Sequence, residues 1–158
     1  MKHIKKIFMI GVISYFSYFN LFPAQVVNFT GIWSLNKEKS HAPDFPDVKI
    51  EIIQNGNTLK YKETAGSIVY LMTLTTDGKE YEYTSVRGRK LKCSAQLEDR
   101  KLTIFSVREA FRSGELVFRD VKQEFELFDG GKSLQLLQVD IIRKLNERQE
   151  WKLIFDKL

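Results

Sequence analysis

Through most of its length this chain alternates apolar and polar residues with a period of two, and pairs of turn-forming residues break the alternation at short intervals. That period marks strands with one buried and one wetted face. Val48-Lys49-Ile50-Glu51-Ile52 and Leu59-Lys60-Tyr61-Lys62 flank Asn55-Gly56, a pair suited to a two-residue hairpin loop because both central residues take positive φ. With that loop, Ile52 meets Leu59 and Ile50 meets Tyr61 on one face, while Glu51 opposes Lys60 on the other. Asp77-Gly78 likewise predicts Leu74 against Tyr81 and Met72 against Tyr83. Ala65-Gly66 sets Tyr61 against Tyr70, Asp99-Arg100 sets Leu97 against Leu102 and Ala95 against Ile104, and Gly130-Gly131 sets Leu127 against Leu134 and Phe125 against Leu136. Only the turn at Arg87-Gly88-Arg89 needs three residues, to keep Tyr83 and Cys93 on one face.

The pattern predicts an all-β chain with strands at 31–36, 48–54, 58–64, 68–76, 79–86, 90–97, 102–110, 115–128, 133–143 and 148–156. Each follows its predecessor as an antiparallel neighbour. A single helical turn is expected at Asn36–Ser40. An open sheet of that length would expose two edges to aggregation, and pairing the first strand with the last removes them. The fold expected is therefore an up-and-down meander of about 8–10 strands closed into a barrel. Its inward face runs from Trp33 and Leu35, through the tyrosines, to Trp151, Leu153 and Phe155.

Met1–Gln25 reads as a signal peptide, with Lys2, Lys5 and Lys6 before the mostly apolar Ile7–Phe22 and the small Ala24 beyond it. The apolar run falls short of the roughly 20 residues of a spanning helix. That leaves 26–158 as one exported domain, periplasmic or secreted, with no stable membrane span. The chain carries 25 Lys+Arg and 20 Asp+Glu, and three of the lysines lie in the leader, so the remainder has 22 against 20. A net charge of +2 gives nucleic-acid binding little support. Cys93 is the only cysteine, which excludes an intrachain disulfide, and with His41 it cannot make a zinc site. Neither a nucleophile–base pair nor a phosphate loop is visible, so no enzyme, metal or cofactor is expected.

The stretch Asn28-Phe29-Thr30-Gly31-Ile32-Trp33 resembles the Gly-x-Trp opening of the lipocalins and their calycin relatives. In that family the Trp begins the first strand and plugs the closed end of the barrel, which gives Gly31 and Trp33 the structural closed-end role here. Extended to Ser40, the string is similar to the start of small exported lipocalin-like proteins of bacteria. The family places a last-strand Arg over the Trp; this chain offers Lys152 or Lys157 there. The resemblance implies a lipocalin-like barrel that binds a small apolar or amphipathic ligand.

Geometry puts the Lys37–Asp47 connection at the end opposite the tight turns, where a mouth would lie. The registers aim Glu63, Ser85, Ser106, Arg108, Arg119 and Asp140 inward near it, with Gln123 facing Gln138 deeper in. Two readings stand. Arg108 and Arg119, balanced by Asp140, could fork a ligand carboxylate while its tail lies along Tyr61, Tyr70 and Tyr83. Equally, the arginines and Asp140 could satisfy one another with no ligand. Cys93 reads as a small core residue and His41 as solvent-facing. On the outer face Val107 is expected beside Phe118 and Leu137 beside Ile154, with Phe105, Val139 and Ile141 near them. Such a stripe suits a homodimer or protein partner, and a filled barrel acting through that surface as an inhibitor or assembly module is the alternative function.

Overall fold

A computed structural model describes Val27–Leu158; the leader expected at 1–25 lies outside the described residues. Ten strands follow one another: β1 (Gly31–Leu35), β2 (Val48–Asn55), β3 (Thr58–Ala65), β4 (Ile68–Thr75), β5 (Asp77–Thr84), β6 (Lys90–Glu98), β7 (Lys101–Arg112), β8 (Glu115–Phe128), β9 (Ser133–Ile142) and β10 (Glu147–Lys157). They form one antiparallel sheet ordered β4-β3-β2-β1-β10-β9-β8-β7-β6-β5. The first strand pairs with the last, Trp33 opposite Lys157 and Leu35 opposite Phe155. The barrel is thereby all but closed, and the expected all-β meander is the fold observed.

Its one break lies between β4 and β5, which are not hydrogen-bonded to each other. The pairs expected across Asp77-Gly78 do not form. Thr76 still donates to the Asn57 carbonyl at 2.8 Å, as if continuing β4 along β3. The Asp77 carboxylate then accepts the Lys79 N–H at 3.0 Å and turns the chain toward β6, where Asp77 opposes Gln96 and a bulge follows. A side chain bonding its own backbone two residues on competes with the hairpin loop that Asp-Gly would otherwise make.

Registers elsewhere agree with the pattern to within two residues. Leu97 faces Leu102, Ala95 faces Ile104, Leu127 faces Leu134 and Phe125 faces Leu136, as expected. In the β2–β3 hairpin the loop is Gly56-Asn57, so Ile52 faces Tyr61 and Glu51 faces Lys62. Only Gly56 of that loop has positive φ, which suits a turn with Gly at its first central position. The next hairpin shifts the same way, Glu63 facing Tyr70 and Tyr61 facing Met72. In the three-residue loop Tyr83 faces Leu91 and Tyr81 faces Cys93. Because each shift is by two, no side chain changes face.

The core follows the predicted inward set, although Leu35, Tyr81, Leu97 and Trp151 are only half-buried, and it gains residues the pattern did not place there, Val48 and Phe29 among them. Phe29, ahead of β1, is fully buried with Trp33 at the closed end. The Gln54 side chain seats it, accepting the Phe29 N–H at 3.0 Å and donating to the Val27 carbonyl at 3.1 Å. The Trp33 indole N–H donates to the Phe29 carbonyl at 3.2 Å. Lys157, of the two lysines offered, lies over the Trp33 ring at 5.2 Å. Directly after β1, Asn36–Ser40 makes its one turn against Ile154 and Asp156 of β10, Ser40 N–H donating to the Asn36 carbonyl at 3.0 Å.

Candidate functional site

The polar residues that the registers aim at the mouth converge from five strands. Tyr61 and Glu63 come from β3, Tyr70 from β4, Ser106 and Arg108 from β7, Arg119 and Gln123 from β8, and Gln138 and Asp140 from β9. They meet because each occupies an inward position in a strand whose deeper inward positions are apolar. The result is a polar layer above an apolar core.

Arg108, almost fully buried, makes four hydrogen bonds within the protein. Its two terminal nitrogens reach the Glu63 carboxylate at 3.1 and 3.0 Å, and one also reaches the Gln123 carbonyl oxygen at 2.7 Å. Its Nε donates to Ser106 Oγ at 3.1 Å, and the guanidinium carbon sits 4.2 Å from the Tyr70 ring centroid. Tyr61 OH donates to Glu63 at 2.5 Å, and Gln123 donates to Glu63 and to Gln138, each at 3.0 Å. Burial alone would push the Glu63 carboxyl up; the Arg108 guanidinium, together with hydrogen bonds from Tyr61 and Gln123, outweighs it and holds the group below its ordinary value. Burial raises the Tyr61 phenol well above its ordinary value, keeping it a donor.

Arg119 is bound less completely. One terminal nitrogen donates to Asp140 Oδ2 at 2.6 Å, the other reaches Tyr70 OH only at 3.5 Å, and Nε has no hydrogen-bond partner among the described residues. Asp140 is fully buried and also accepts from Gln138 at 2.9 Å. Burial raises its carboxyl above the ordinary value, Arg119 offsetting this only in part.

These facts divide the expected anion fork. Arg108 and Arg119 do lie in one polar layer with Asp140 and Tyr70, but Glu63, which the sequence placed inward without a partner, already occupies the fork of Arg108. Tyr61 lies beneath the layer as an element of the Glu63 network. Tyr83 is a wall residue whose hydroxyl donates to the Val107 carbonyl at 2.5 Å, and burial pushes it up to about 12. Cys93 is buried, with its thiol pushed up to about 11 by that burial. His41 is exposed.

Beside the layer is a cavity of about 210 Å³, lined by Arg119, Tyr70, Gln138, Leu136, Leu153 and Trp151 among others. The 36–47 connection covers it: the Phe45 and Trp151 rings meet edge to face at 6.1 Å. Arg119 thus lines a largely apolar space with a guanidinium whose Nε, itself sealed off from that space, has no partner among the described residues, a costly arrangement for a buried donor.

The outer stripe is present but its pairs differ. Val107 faces Asp120, Glu109 faces Phe118, and Leu137 faces Lys152 with Ile154 opposite Gln135. The registers there again lie two residues from those expected, so the four residues share the outer face without forming the predicted contacts. A separate groove of about 540 Å³ on that face is walled by Phe105, Val107, Val139 and Ile141.

No protein-family model matches the chain. The zebrafish ileal bile acid-binding protein, solved with cholic acid, superposes with a TM-score of 0.54 at 20% identity, covering 82% of this chain and 98% of that one. A fatty acid transporter, REP1-NXSQ, superposes with a TM-score of 0.55 at 14% identity, covering 82% of this chain and 95% of its own. At these identities the likeness shows a shared calycin-type barrel. In sequence, the liver fatty acid-binding protein of Schroederichthys bivius is 34% identical over 91 residues, 47% of this chain and 70% of the relative. With that identity over most of the relative's length, and the barrel in common, the chain belongs to the fatty acid-binding protein family.

Proposed function

We propose that the protein is a non-enzymatic carrier that holds a small amphipathic anion of the fatty-acid class inside the barrel. The observation that carries this is Arg119: a guanidinium that lines a covered cavity of largely apolar lining, with one terminal nitrogen held only loosely, 3.5 Å from Tyr70 OH. The head group would accept from Arg119 and Tyr70, and the tail would lie against Leu136, Leu153 and Trp151. Arg108 serves the site differently, by anchoring Glu63 and holding the polar layer in place. The names of the relatives, which are fatty acid and bile acid binders, support the same ligand class.

At about 210 Å³ the cavity is smaller than the roughly 300 Å³ at which ligand pockets usually begin. A short ligand fits beneath Phe45 and the 36–47 connection, whereas a long-chain one needs more room, gained by outward movement of that connection or by parting of β4 from β5. We also carry forward the reading of Met1–Gln25 as an export signal, supported by its basic start and apolar run; N-terminal sequencing of protein secreted or fractionated from its host tests it. The alternative, a filled barrel working through its outer surface, draws support from the groove at Phe105, Val107, Val139 and Ile141.

The experiment is native mass spectrometry of the purified protein, followed by titration with fatty acids of graded length. A carrier retains or takes up one anionic lipid, and Arg119→Met weakens the acid while leaving the corresponding primary alcohol unaffected. Failure of every chain length to bind, or equal loss of acid and alcohol, overturns the reading.

A further inference from the structure

Besides Glu63 and Arg108, which bind each other, four polar side chains line the cavity: Tyr70 from β4, Arg119 from β8, Gln138 from β9 and Gln149 from β10. Gln138 is occupied, donating to Asp140 at 2.9 Å and accepting from Gln123 at 3.0 Å. Tyr70 and Arg119 are turned to the head group of an acid. Gln149 has no such assignment. It lies in the polar run Glu147-Arg148-Gln149-Glu150, where no alternation marks a face and the sequence alone reads a wetted rim.

Two relations place Gln149 inward. The two-residue period of β10 puts it on one face with Trp151 and Leu153, which line the same cavity. In the β9–β10 ladder it stands opposite Asp140, which is fully buried inside the barrel, and residues directly opposite share a face of the sheet. Asp140 does not satisfy it, being taken by Arg119 and Gln138, and the Gln149 amide makes no hydrogen bond to any described residue. Gln149 is therefore a half-buried amide with its donors and its acceptor free, directly above the Trp151 ring that Phe45 covers.

We infer that the cavity selects acids that carry a hydroxyl close to the carboxylate, and that Gln149 reads the hydroxyl. The inference rests on the carrier reading and narrows its ligand class. An amide both donates and accepts, which matches a hydroxyl. A second carboxylate would find only this neutral amide and the carboxylate of Asp140, and an ammonium would lie beside Arg119. The spacing sets the position of the hydroxyl. β8 and β10 flank β9, so the backbones at Arg119 and Gln149 are about 10 Å apart, and two long side chains reaching inward narrow that interval to a few carbons. The closed cavity of about 210 Å³ agrees, since it suits a short acid with two polar groups better than a long tail. A plain tail drawn into this space takes water from the Gln149 amide and returns no partner, a penalty that a hydroxyl removes.

The test is calorimetric titration of the full chain, stripped of co-purified lipid, with octanoate and with each enantiomer of β-hydroxyoctanoate. Wild type is expected to bind one hydroxy acid at least fivefold more tightly than octanoate, the equivalent of one hydrogen bond. Gln149→Leu should erase that preference by weakening the hydroxy acid at least fivefold more than octanoate. Arg119→Met should weaken both acids together. Equal affinity of wild type for all three acids, or equal loss of octanoate and hydroxy acid in Gln149→Leu, overturns this inference and leaves the carrier reading standing. Failure of all three acids and of every longer fatty acid to bind overturns both.

Discussion

Arg108 on β7 and Glu63 on β3 meet across the barrel through two near-parallel hydrogen bonds of 3.1 and 3.0 Å. The pair is buried and is further bonded by Tyr61, Ser106 and Gln123. Such a pair contributes little net stability compared with apolar residues of equal volume, but breaking it leaves a buried charge alone. Glu63→Gln should therefore cost about 3–5 kcal/mol. The double change Glu63→Leu with Arg108→Met should recover most of the loss. Urea unfolding of the three proteins checks this.

The same carboxylate sets a pH dependence. Its folded value is depressed below the ordinary 4.5, so its contribution is complete above that value and is lost as pH falls through the folded one. The penalty of Glu63→Gln should be largest near neutrality and shrink below about pH 4.5. Asp140 acts with opposite sign: its folded value is raised above 3.8 by burial, so stability falls as pH climbs through the raised value. Asp140→Asn should flatten that second slope. Urea midpoints measured from about pH 3 to 7 separate the two contributions.

Gly31 bears on the closed end. A Cβ there would lie 2.9 Å from Lys157 Cε and 3.1 Å from the Trp33 ring. Lysine can swing aside, but the buried indole has little room. Gly31→Ala should displace Lys157 from the ring and cost ~1–2 kcal/mol, as mild overpacking does. Thermal unfolding reads the loss, and a changed tryptophan emission reads the altered cover of Trp33.

Phe45→Ala removes the edge-to-face contact with Trp151 that covers the cavity. The aromatic pair is worth ~1 kcal/mol, so fatty acid release should quicken by about fivefold. Stopped-flow displacement with a fluorescent fatty acid measures the rate.

How much of this was legible in the sequence follows from what each signal encodes. Alternation fixes faces, so the inward placement of Arg108, Arg119 and Asp140 could be read from one chain. Loop chemistry fixes register less tightly: Asn55-Gly56-Asn57 admits two loops one residue apart, whose registers differ by two, and both keep Ile52 inward. Hence Glu63 was known to point inward while its partnership with Arg108, made between strands not adjacent in the sheet, was not. The break at Asp77-Gly78 was hidden because Asp-Gly serves a hairpin and an Asx turn equally well. Phe29 precedes the first strand, where alternation carries no information; the one clue was Gln54, an amide at the end of β2 near the closed end.

The unbonded line between β4 and β5 has a consequence for capacity. A cylinder hydrogen-bonded all the way round has a fixed girth, whereas this one can spread along that line without giving up any backbone pairing. The interior is therefore a space whose size its occupant can set, and length of tail need not be limited by the volume found when the wall is drawn in.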